Sequence, residues 1–195
     1  MKYSVDLKTK SSKEWVKTAL SNLPDLLADH ADCERKASAM AMSFVAKYPD
    51  RIEIIPELID IAVEELQHFQ QVYAIMNKRG FMLKNSMPED LYVKQILTYC
   101  RTGKEERFLD RLLVASVVEC RGAERFKLLY ENIENDEELK NFYHDLWASE
   151  AKHGNIFVKF ALNYFDEKAV YLRLDYLVNE EAKILNGLDI RAAFH

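Results

Sequence analysis

Glu65-Leu66-Gln67-His68 and Glu150-Ala151-Lys152-His153 are the two stretches that decide this fold. Each is preceded, 31 residues earlier, by a lone glutamate, Glu34 and Glu119, and the whole set recurs at an offset of 85 residues. The chain holds 19 glutamates among 195 residues. At that frequency, four chance matches to one template have odds of about one in ten thousand. Within Glu-x-x-His, the i, i+3 spacing puts a carboxylate and an imidazole on one face of a helix.

Working outward from these motifs, the apolar residues recur with a period near 3.6. From Pro24 one stripe runs through Leu26, Leu27, His30, Glu34, Ala37, Ala41, Phe44 and Val45, and Tyr48-Pro49-Asp50 ends it. A second runs from Ile54 through Leu58, Ile61, Ala62, Glu65, His68, Phe69, Val72 and Met76 to the basic turn and glycine stop at Lys78-Arg79-Gly80. Residues 81–103 read as a crossover with one shorter helix from about Pro88. After Gly103 a third long stripe carries Phe108, Leu112, Ala115, Glu119, Ala123, Phe126 and Tyr130. Asn135-Asp136 marks a turn, and the fourth stripe holds Leu139, Phe142, Leu146, Glu150, His153, Phe157 and Phe160. A final segment, 167–185, is expected to pack on the outside.

Every motif residue therefore lies on the apolar stripe of its helix. An unpaired buried carboxylate costs several kcal/mol or is forced to take up a proton, so a cation must sit among them. Two copies of Glu…Glu-x-x-His on four helices are the ligand set of a ferritin-like four-helix bundle holding two metal ions. The expected fold is all-α, a single ferritin-like domain over 1–195 with a crossover between the second and third helices of the bundle. The expected ligands are Glu34, Glu65, His68, Glu119, Glu150 and His153. Carboxylates with two imidazoles suit two iron ions, with manganese as the alternative, better than zinc, whose structural sites draw on thiolates.

Glu64, Glu124, His144 and His30 break the 85-residue symmetry, since their counterparts are Ser149, Ala39, Ile59 and Ala115. They read as surface or outer groups, with His30, one turn before Glu34, the best candidate to orient a ligand. Cys33 and Cys120 flank ligand positions and read as small buried residues. Small residues follow the lone glutamates, Ala37-Ser38 after Glu34 and Gly122-Ala123 after Glu119. They predict either a close helix crossing or open space beside the metals.

Composition narrows the class further. Five glycines and four prolines are few for the turns of an all-β chain. Three cysteines without CxxC spacing argue against a disulfide framework or a zinc ribbon. The polar, charged first thirteen residues show no secretory pattern, and no apolar stretch is long enough for a bilayer, so a cytoplasmic protein is expected.

The segments Cys33-Glu34-Arg35-Lys36-Ala37, Glu64-Glu65-Leu66-Gln67-His68-Phe69, Glu119-Cys120-Arg121-Gly122-Ala123-Glu124-Arg125-Phe126 and Ser149-Glu150-Ala151-Lys152-His153 resemble the MiaE-type tRNA hydroxylases. The likeness runs from about Trp15 to Tyr164. It implies a non-haem di-iron monooxygenase that uses dioxygen as co-substrate to hydroxylate the isopentenyl side chain of a modified adenosine in tRNA. It also implies an electron-donor protein such as a ferredoxin-type reductase system, and it assigns the six residues as metal ligands.

A net charge of −5 does not favour contact with a polyanion, so local clusters must carry any RNA contact. Three are present: Lys8, Lys10, Lys13 and Lys17; Lys78, Arg79 and Lys84; and Arg101, Lys104, Arg107 and Arg111. The second is the expected substrate contact. The competing readings are a ferroxidase or rubrerythrin-like oxidase with a non-RNA substrate, and a non-catalytic binding protein whose metals clamp the bundle.

Overall fold

The computed structural model describes residues 5–86 and 89–194, with the side chain of Ala151 left out. Among the described residues there are seven helices and no strand: α1 (Lys13–Ser21), α2 (Leu23–Lys47), α3 (Ile55–Lys78), α4 (Leu91–Leu97), α5 (Lys104–Asn132), α6 (Glu137–Leu162) and α7 (Glu167–Gly187). The all-α expectation holds. None of these helices is long and apolar enough to cross a membrane.

Local chemistry sets the helix ends. The side chains of Asn22, Asp90, Asp136 and Asp166 accept hydrogen bonds from backbone N–H groups in the first turns of α2, α4, α6 and α7. At the end of α3, Gly80 takes φ +71°. Its N–H reaches the Asn77 carbonyl at 3.1 Å, and the Phe81 N–H reaches that of Met76 at 2.9 Å. This is the paired closure that a left-handed residue after a helix permits. Asn135, φ +59°, turns the chain between α5 and α6. The short helix expected from about Pro88 is α4, and Pro88 itself lies outside the described residues. Too short to show an apolar stripe, α1 adds to the expected set; Ser12 Oγ caps it by accepting from the Trp15 N–H at 3.0 Å.

The chain divides into two compact units. One comprises Lys17–Pro88 with Arg191–Phe194. In it, α2 and α3 bury Leu26, Leu27, Ala31, Ala41 and Phe44 with Leu58, Ile61, Val72 and Met76. Ser38 Oγ donates to the Ala62 carbonyl at 2.8 Å and ties the two helices together.

The other unit holds the residues up to Val16 with Glu89–Ile190. Here α5 and α6 interdigitate Phe126 and Tyr143, whose rings stack at 5.7 Å. Two ion networks, each built around a buried charge, Arg121 and Asp110, brace it. Arg121, with no exposed surface, donates to Glu181 from Nε at 2.8 Å and Nη2 at 3.1 Å, to Glu124 at 3.0 Å and to the Thr9 carbonyl at 2.8 Å. Tyr92 adds its hydroxyl to Glu181 at 2.9 Å, and Ser11 donates twice to Glu124. In the second network, Asp110 accepts from Arg101 and Arg173.

Burial and pairing shift the ionisation of Arg121, Arg125 and Asp110. Burial pushes the Arg121 guanidinium down, but its hydrogen bonds to Glu181 outweigh that and hold it above its ordinary value. Arg125, buried and beside the Arg121 charge, is lowered to about 10. Burial raises Asp110, but hydrogen bonds from Arg101 and Arg173 bring it below its ordinary value. Two expectations change accordingly. The last helix is more than an outer cover, because its face carries the buried Glu181 along with Val170, Leu174 and Leu177. Glu124 is half-buried and serves the Arg121 network rather than a ligand or the surface.

Candidate metal centre

All six residues that the repeat singles out are buried, none more than 8% exposed. In the α2–α3 unit, Glu34, Glu65 and His68 each offer one donor atom, and these lie within 4.8 Å of one another. His68 Nδ1 is 3.4 Å from Glu65 Oε2 and 3.7 Å from Glu34 Oε2. In the other unit, Glu119 on α5 joins Glu150 and His153 on α6 under the same criterion, with His153 Nδ1 3.0 Å from Glu150 Oε2. Two donors on one first-row ion, each at about 2.1 Å, are at most about 4.2 Å apart. The three His–Glu pairs meet that limit, and the remaining donors, Glu119 among them, lie within 4.8 Å of their group, so each triad could hold an ion after a small adjustment. The donor set fits as well: four carboxylates can neutralise two divalent cations, and both imidazoles present Nδ1.

Beyond the donors the triads differ. His30, fully buried, sits 2.6 Å from Glu34 Oε1 through Nε2, as its position one turn earlier predicts. Glu64 Oε1 is 4.0 Å from His68 Nε2, beyond hydrogen-bond reach. His144 is a surface residue beside Asp145. Cys33 and Cys120 are half-buried rather than fully enclosed. Burial and the neighbouring Glu119 carboxylate raise the Cys120 thiol to about 12.

The small residues also sort themselves. At Ser38 the crossing reading applies, through its bond to Ala62. At Gly122 an added Cβ would meet only Phe126, at 4.0 Å, so this glycine marks open space. Ala123 next to it lines an open cavity of about 380 Å³ with Cys120, Trp147, Val5 and Leu7. The close approach in this unit lies at Gly154, where a Cβ would run into Cys120 Sγ and whose carbonyl accepts from Ser116 Oγ. Gly154 was legible only as a mid-helix glycine in α6; the pattern of apolar residues does not say what faces it.

Lys84 Nζ is 2.7 Å from Asp25, Lys78 is exposed in the last turn of α3, and Arg79 caps that helix. Sequence reasoning missed Asp110, Arg121 and Glu181, because a charged residue on a stripe announces burial only once its partner is known.

An all-helical chain of this architecture has the ferritin-like fold, and its buried Glu/Glu-x-x-His triads are groups that could hold metal. Within that fold class this chain is a member of the MiaE family: residues 2–195 match the family described as tRNA-(MS[2]IO[6]A)-hydroxylase (MiaE). The chain is 34% identical over 181 residues to the tRNA 2-(methylsulfanyl)-N(6)-isopentenyladenosine(37) hydroxylase of Pseudomonas putida, covering 93% of this chain and 87% of that protein. It is 27% identical to the Salmonella typhimurium protein of the same name, over 89% of this chain and 80% of that one. A solved structure, Protein 43 with aldehyde deformylating oxygenase activity from Synechococcus, superposes with a TM-score of 0.89 at 34% identity, over 95% of this chain and 92% of that one. The family is one of hydroxylases, and the chain is accordingly an oxidoreductase.

Proposed function

We propose that the two triads hold two iron ions, and that the chain hydroxylates the isopentenyl side chain of a modified adenosine in tRNA. The observation that carries this reading is the matched pair of buried triads, Glu34/Glu65/His68 and Glu119/Glu150/His153, in a chain whose curated relatives are named as hydroxylases of that nucleoside. When bound, such a metal pair would activate dioxygen, the oxidant, for insertion of oxygen into an aliphatic C–H bond. One atom of dioxygen enters the substrate and the other leaves as water. That balance takes two electrons and two protons per turnover, so an external electron-donor protein is part of the proposal, as is a reducing cytoplasm that keeps the three free cysteines reduced.

The chain's own residues hold and shield. The six ligands sit on long helices, so their placement is set by packed backbone rather than by loops. Their burial keeps bulk water from the reacting centre. Lys78, Arg79 and Lys84 are proposed as contacts to the RNA backbone. Lys84 would exchange Asp25 for a phosphate, and removing any one cation that pairs with a phosphate flattens the salt dependence of binding.

The test is to incubate iron-loaded protein with dioxygen, an electron source and tRNA carrying the isopentenyl modification, and to weigh the nucleosides after digestion. One added oxygen, absent in Glu119→Ala, is expected. In a parallel binding titration, replacing Lys78, Arg79 and Lys84 with alanine should weaken tRNA binding and reduce its salt slope by about two to three units; an unchanged slope would remove those residues from the interface. The solved neighbour's activity motivates a second reading, an oxygenase acting on an aldehyde. Unchanged tRNA together with consumption of an aldehyde would favour it.

A further inference from the structure

We propose that His30 is a positioning residue that holds Glu34 in single-oxygen ligation, that the ring of Phe194 holds His30 in turn, and that the two metal positions are inequivalent as a result. This rests on the two-metal reading above.

The geometry divides the two oxygens of Glu34 between different neighbours. Oε1 is 2.6 Å from His30 Nε2. A ligating carboxylate is an acceptor only, so Nε2 carries the proton and donates. Oε2 faces the other way, 3.7 Å from His68 Nδ1, and is the oxygen left to bind an ion. A carboxylate without such a partner can swing between one-oxygen and two-oxygen binding. A short hydrogen bond to an anionic acceptor is among the strong ones and opposes that swing.

His30 is itself clamped. Its ring lies 4.6 Å from that of Phe194, tilted by 44°. The Phe194 N–H donates to Asp29 Oδ2 at 2.7 Å, so Arg191–Phe194 is fastened to α2 one residue before His30. Phe194 is 2% exposed and His30 not at all. A buried imidazole wedged by a buried ring has few other rotamers to visit, which makes its hydrogen bond directional.

The second triad is built differently at this position. At the 85-residue offset His30 becomes Ala115, so no imidazole stands one turn before Glu119. Outer partners of metal ligands typically change affinity by about 10- to 100-fold. The ion held by Glu34 should therefore respond to His30 while the other does not.

The experiment is a cobalt(II) titration of metal-free full-length protein against a competing chelator, followed by absorption, with Mössbauer spectra of the ⁵⁷Fe-loaded protein as a second readout. Wild type should bind two ions. His30→Ala should weaken one of them by about 10- to 100-fold and leave the other unchanged, with one of two quadrupole doublets altered. His30→Gln, whose amide can donate at the same place, should restore most of the affinity. Phe194→Leu, which keeps bulk without the ring, should weaken the same ion by a smaller factor.

A purely structural role would lower the melting temperature while both affinities moved together or neither moved, and either pattern overturns the proposal. If His30→Ala does not fold, His30→Gln and Phe194→Leu decide it by the same one-site criterion. Wild-type protein that binds fewer than two ions would instead sink the two-metal reading itself.

Discussion

The α2–α3 pair and the α5–α6 pair carry the same three donors at the same spacing, yet they are supported in opposite ways. Among the described residues, both buried arginines, Arg121 and Arg125, belong to the α5 side, where Glu181, Glu124 and Asp110 find cationic partners without any metal. The α2–α3 unit contains no buried arginine among its described residues. Its buried polar groups are Ser38 and the cluster His30, Glu34, Glu65 and His68. An internal repeat can thus copy the residues that face the chemistry while leaving the surroundings free to diverge. The half with fewer cations of its own should lean harder on bound metal.

The broadest consequence concerns metal removal. A ligand present at 100 times its dissociation constant stabilises the folded state by about 2.7 kcal/mol, and chelation should cost at least that. Hydrogen exchange should show a greater loss of protection in Leu23–Lys47 and Ile55–Lys78 than in Lys104–Asn132. Equal loss in both pairs would break the comparison.

Arg121→Met tests the other half. It leaves the buried Glu181 carboxyl without its guanidinium, at a cost of about 3–5 kcal/mol in urea unfolding. Adding Glu181→Leu should recover a large part of the loss, since removing both charges removes the unpaired one. A single variant that loses less than about 1 kcal/mol would mean that the network is not what braces this unit.

The smallest effects distinguish two glycines of the α5–α6 pair. Gly154→Ala should destabilise by about 1–3 kcal/mol, as overpacking does, because the new Cβ meets Cys120 Sγ; pairing it with Cys120→Ala should relieve part of that. Gly122→Ala should be neutral or stabilise by up to about 1 kcal/mol through helix propensity, since only Phe126 is near. The reverse order would move the close crossing to Gly122.

Legibility in the sequence follows the range of the interaction. The Asn135-Asp136 turn, the Gly80 stop and the four long helices rest on spacing and backbone preference within a few residues, and each is where the pattern puts it. The donors were legible because a repeat at 31 and 85 residues is improbable by chance. His30 was legible through its own spacing, being one turn from Glu34. Phe194, 164 residues further on, was not. Glu124 looked like a surface group because the residues that make it structural, Ser11 and Arg121, carry no mark of their destination.

The sequence by itself determined the helical class, the six candidate donors and the membership in a family of hydroxylases, because periodicity and repeat spacing are properties of the chain alone. Only the tertiary structure decided which buried charges pair with which. It set Arg121 on Glu181, Phe194 on His30 and Gly154 against Cys120. Such pairings depend on distances between residues far apart in the chain, and no local preference encodes them.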